Sequence, residues 1–144
     1  MAKWLILIYK VPREPSATRV YVWRKLKQLG AVAAQDAAWM LPATARTEEQ
    51  FRWLAAEITE LGGDAMVWNS DLIYAGDEQA LVRQFTVPLE SEYAELLKST
   101  KRKDANLAEL SRRFQELQVR DYFHLELGQK VRQALVTLRG GKSK

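Results

Sequence analysis

Arg19 is the side chain whose placement most invites chemistry. On a helix beginning at Ser16 and advancing 100° per residue, it falls in the apolar sector with Trp23 and Leu26, apart from the polar face of Arg24, Lys25 and Gln28. Held in a partly desolvated pocket, its guanidinium could bind an oxyanion bidentately, as it would a carboxylate or phosphate. The alternative is an internal ion pair. Asp121 is the natural candidate partner, because it falls within the stripe of Leu110, Phe114 and Leu117 and a buried carboxylate needs a counter-charge. The densest basic cluster is Lys101, Arg102 and Lys103 with Arg112 and Arg113 on the following helix. It reads either as a nucleic-acid-binding tip between two helices or as a solvated tip, since cations at a helix C-terminus also follow from the macrodipole. Trp53 lies among Glu49, Glu57 and Glu60, across its helix from the apolar stripe, and reads either as an interface aromatic or as a ring lying over its neighbours' stems. His124, between Asp121 and Glu126, has metal-ligand spacing but too few companions, and reads as a loop histidine.

Composition narrows the chemistry further. With no cysteine and one histidine in 144 residues, disulfides, thiolate sites and imidazole clusters are excluded, and no metal or cofactor is expected. No phosphate loop, nucleophile elbow or H-E-x-x-H pair occurs, and Glu48-Glu49 sits in a helical first turn where the dipole explains it, so the chain is not expected to be an enzyme. A net charge of +4 permits an anionic partner without requiring one. The apolar run Trp4 to Tyr9 stops at Lys10 and Pro12, too short for a signal core or a membrane span, which predicts a cytoplasmic protein.

The elements that must position these residues form an α+β pattern. Lys3 to Tyr9 reads as a central strand buried on both faces. Ser16 can cap a helix to Leu29, stopped by Gly30, and Ala31 to Ala34 with Ala37 to Leu41 reads as a hairpin around Gln35-Asp36. Thr47 and Gln50 match a capping box before the stripe Phe51, Leu54, Ala55, Ile58 and Leu61, and Asp64 to Asn69 reads as a fourth strand. The order β-α-β-β-α-β is the ferredoxin-like split unit. After Gly76 the periodicity is helical. Asp77 can cap a short helix to Phe85, a second helix begins at Pro88, Asp104 caps a third, and a last segment spans residues 127–138. The expectation is one domain, with a core over 1–75, a helical extension over 76–139 packed on the sheet or on a partner subunit, and a frayed tail over 140–144.

Three stretches together resemble the ChrB N-terminal-domain family: W-L-I-L-I-Y-K-V-P from Trp4, S-A-T-R-V-Y-V-W-R-K-L from Ser16 with G-A at Gly30, and W-M-L-P from Trp39. R-D-Y-F at Arg120 fits the same pattern. The resemblance covers nearly the whole chain. It implies a role in chromate resistance, where full-length ChrB proteins are chromate-responsive transcriptional regulators of an efflux gene. DNA, chromate or another oxyanion, and a second copy of the chain are the partners this suggests. The chain has no room for the family's second, C-terminal domain, so steps housed there are not assumed. A more distant similarity, in strand-helix-strand pattern, is to small CRISPR-associated ferredoxin-like nucleases and the middle domain of PaaX-type repressors. Those nucleases carry an acidic residue just after the first strand, where this chain has Lys10, which cannot ligate a metal ion as a carboxylate does. The expected function is therefore non-catalytic regulation with DNA binding. A dimeric interaction or oxyanion-binding module is the alternative, and a metal-dependent nuclease the remaining reading.

Overall fold

The computed structural model describes residues 3–35, 38–74 and 78–142. The chain divides into two compact units, Met1–Glu78 and Gln79–Lys144. The first unit is an α+β layer pair. Its strands β1 (Lys3–Lys10), β2 (Val32–Gln35), β3 (Ala38–Pro42) and β4 (Asp64–Asp71) alternate with helices α1 (Ser16–Leu29) and α2 (Ala45–Glu60). The sheet order is β2-β3-β1-β4 and every pairing is antiparallel, the arrangement expected of a split β-α-β-β-α-β unit. β1 is central, as expected, but it is not buried on both faces as its apolar run predicts, since Ile8 is exposed. Leu5 and Leu7 are buried on one face, and Leu7 pairs with Trp39 of β3. Val22 and Leu26 of α1, Trp39 and Leu41 of β3, and Phe51, Leu54 and Ile58 of α2 are buried with them in this unit. On the opposite face Ile8 stands across from Met66 and Ile6 from Trp68, and Ile8, Met66 and Trp68 remain exposed.

Local signals decide the helix ends. Gly30 closes α1 in the left-handed region at φ 79°, with its N–H donating to the Lys27 carbonyl and that of Ala31 to the Leu26 carbonyl. Gly62, at φ 91°, closes α2 in the same way, through Thr59 and Ile58. Two expected caps are corrected. Ser16 is already helical, the cap position falls on Pro15, and no side chain bonds there, because proline pre-sets the extended entry. The capping box of α2 is Thr44 with Thr47, three residues before the expected Thr47 and Gln50. Thr47 is buried and donates from Oγ1 to the Pro42 carbonyl at 2.7 Å, an anchor that only the earlier register allows.

The second unit consists of helices α3 (Glu78–Ser99), α4 (Leu107–Arg120) and α5 (Glu126–Lys142). Its core is Leu89, Tyr93, Leu96, Leu110, Phe114, Leu117, Val131 and Leu135. The two short helices expected around Phe85 and Pro88 are one, with Pro88 inside it. Asn106, in place of Asp104, caps α4 by accepting from the Glu109 N–H at 3.2 Å. α5 continues to Lys142 where a frayed tail was expected from 140. Asp77, the expected cap of the helix to Phe85, lies outside the described residues. Among the described residues no helix is long and apolar enough to cross a membrane.

Candidate functional site

In the first unit, the end of β1, the segment after it and the first turns of α1 enclose a groove of about 590 Å³. Tyr9 and Lys10 come from β1, and Val11 and Arg13 from the connection. Ser16, Arg19, Val20 and Trp23 come from α1, and Trp39 from β3. Strand alternation explains the assembly. Leu7 opposite Trp39 puts Trp39 on the α1 side of the sheet, and Tyr9, two residues on, shares that side. Burial pushes the Tyr9 phenol above its ordinary pKa, while the Trp39 indole and the Arg19 charge pull it back. The Trp39 Nε1 is itself buried and outside hydrogen-bond geometry with any acceptor, so its influence on Tyr9 is that of a nearby dipole. Arg19 shares the groove with Trp23, the neighbour its wheel position predicts, but it is exposed instead of desolvated.

Asp121 is partnered within the second unit. Its residue is 7% exposed, and its carboxylate accepts from the Tyr93 hydroxyl at 2.9 Å and from the Leu125 N–H at 3.1 Å. Gln118 Nε2 donates to the Tyr93 oxygen at 2.8 Å, and Arg132 donates to Gln118 Oε1 at 2.8 Å. Burial, and then the bond to Asp121, drive the Tyr93 phenol well above the ordinary phenol range. The carboxylate's need for a partner, the ground for expecting Arg19 beside it, is thus met by Tyr93 and by the turn into α5.

Lys101, Arg102 and Lys103 occupy the turn between α3 and α4, and all three are exposed. The two arginines of α4 differ from them. Arg112 bonds Glu116 at 3.1 Å, and Arg113 lines a cleft with Glu92, Glu95 and Glu116, beside Arg120, which bonds Glu92 at 3.1 Å. The expected five-residue cluster therefore separates into an exposed tip and a pair set among carboxylates. Trp53 is 66% exposed on α2. His124 is an exposed loop residue at φ 52°, a left-handed conformation in which histidine is several-fold enriched. Among the described residues no three or more acidic or imidazole side chains gather as a metal site would require. The groove was not singled out from sequence. A signal existed for the groove in Lys10, Arg13 and Arg19, three cations spaced around Pro15, but not for their convergence with Trp39.

These features define a split β-α-β-β-α-β domain with a groove of cations and aromatics, continued by a helical unit with a cationic turn. Residues 19–109, well over half of the chain, match the family model described as Protein ChrB, N-terminal, and the chain belongs to that family. It is 32% identical over 92 residues to Protein ChrB of Cupriavidus metallidurans, a stretch that covers 64% of this chain and 28% of that protein. No solved structure matches the chain.

Proposed function

We propose that the protein is a non-catalytic, cytoplasmic regulatory component of chromate resistance that binds DNA. Family membership supports the pathway, since the resemblance to ChrB proteins implies a role in chromate resistance. The observation that carries DNA binding is the turn of Lys101, Arg102 and Lys103, exposed and without a carboxylate partner among the described residues. Such cations are placed to displace the counterions of a phosphate backbone. The reading of a dimeric interaction module rests on a different feature, the apolar sheet face of Ile8, Met66 and Trp68.

A mobility-shift titration with duplex DNA from upstream of the protein's own gene, at low salt, separates the two. The expected result is a retarded complex, unchanged by a chelator, and intact DNA and RNA after incubation with magnesium or manganese. No complex at any concentration would leave the interaction module standing. Cleavage that a chelator abolishes would overturn the non-catalytic reading.

A further inference from the structure

We propose that the groove between β1 and α1 binds a nucleoside phosphate, an aromatic base joined to a phosphate, presented either by a free nucleotide or by the unpaired end of a strand. Among the described residues Lys10, Arg13 and Arg19 line the groove and no carboxylate does, so the described lining carries charge of one sign. A cleft of that kind concentrates anions, and two guanidiniums offer phosphate oxygens paired donors. Asp64 stands opposite Lys10 in the ladder, which leaves Arg13 and Arg19 as the main anion contacts.

The walls specify more than an anion. Trp23 is half exposed, with Lys27 Nζ 5.8 Å from its ring centroid, and is a stacking surface already restrained by that cation. Tyr9 brings a phenolic hydroxyl to the same space and Trp39 an apolar floor. A volume of about 590 Å³ falls in the range of organic-ligand sites. A bare tetrahedral oxyanion would reach the cations and leave the aromatic walls unused. A base with a phosphate uses both, and stacking on an aromatic ring tolerates any base because each has a π-face.

The inference does not depend on duplex binding, which is assigned to the Lys101–Lys103 turn, and it is tested without duplex present. Isothermal titration of the full chain would compare adenosine monophosphate, adenosine, inorganic phosphate and a short 5′-phosphorylated oligothymidylate. The nucleotide or the oligonucleotide is expected to saturate, with adenosine and phosphate each weaker by at least about tenfold. Tighter binding of the oligonucleotide assigns the groove to strand ends, and tighter binding of the monophosphate to free nucleotides. Trp23→Ala, and Arg13→Ala with Arg19→Ala, are each expected to weaken binding by at least about tenfold at unchanged melting temperature, because these side chains are exposed. Phosphate binding as tightly as the monophosphate, Trp23→Ala without effect, or no saturation by any probe would overturn the proposal.

Discussion

Tyr93 shows how one hydroxyl holds a buried charge in place. It donates to Asp121 and accepts from Gln118, while the Leu125 N–H supplies the carboxylate's other bond and so ties the turn between α4 and α5 to α3. Tyr93→Phe removes the hydroxyl without removing the ring, and leaves Asp121 with a single type of donor. The expected cost is about 1–3 kcal/mol at neutral pH, the penalty for an under-satisfied buried polar group. The alkaline limb should change as well. The native phenol holds its proton more tightly than the unfolded one, so above about pH 10 the unfolded chain binds fewer protons and stability falls as pH rises, by up to about 1.4 kcal/mol per pH unit. Tyr9 and Tyr21 are also raised and add to the wild-type slope, so the informative quantity is the difference between the two proteins. Urea unfolding at pH 7 to 11 is expected to show Tyr93→Phe less stable at pH 7 and less steeply destabilised above pH 10. Equal stability and equal slope would show that the hydroxyl bonds contribute nothing net.

The elements divide into those that sequence reading locates and those that need three-dimensional context. β1 is legible because its apolar run has only one stable location, the middle of a sheet, and α1 because Gly30 stops a visible stripe. The capping box of α2 is ambiguous in principle, since Thr44-x-x-Thr47 and Thr47-x-x-Gln50 present similar chemistry, and burial of Thr47 against Pro42 decides between them. Pro88 misleads because proline is welcome in a first helical turn and costly in an interior. The stripe Leu81, Phe85, Leu89, Tyr93 and Leu96 runs through it unbroken, and that burial offsets the missing N–H. The groove is the least legible feature, because its residues come from three separate segments and converge only through the Leu7–Trp39 register. For α3, replacing an exposed proline with alanine restores a donor to the ladder, where proline costs up to about 3 kcal/mol. Pro88→Ala is expected to stabilise the protein by about 1 kcal/mol or more, read as a higher melting temperature. A lower one would show that packing around Thr86 and Leu89 depends on the proline geometry.

At the scale of the whole molecule, a net charge of +4 matters less than which cations are free. Arg112 is bonded to Glu116 and Arg113 shares its cleft with Glu92, Glu95 and Glu116, so bringing a phosphate to either means competing with carboxylates already in place. Among the described residues no carboxylate is paired with Lys101, Arg102 or Lys103, and all three are exposed. If they neutralise backbone phosphates, each contributes about 0.9 to the slope of log affinity against log salt on duplex DNA. The triple change Lys101→Ala, Arg102→Ala and Lys103→Ala should flatten that slope by roughly 2 to 3 units. The same change should leave the melting temperature almost unmoved, because solvated charges contribute little to stability. Arg112→Ala with Arg113→Ala should flatten the slope by less than about one unit, since Arg112 is paired with Glu116 and Arg113 shares its cleft with three glutamates. Fluorescence anisotropy of a labelled duplex over a range of salt concentrations measures all three slopes. A wild-type slope near zero, or a triple variant that binds as tightly as wild type at low salt, would remove the turn from the DNA surface. Equal flattening by the two sets would instead place α4 on the DNA beside it, with its ion pairs to Glu92 and Glu116 opened by the phosphates.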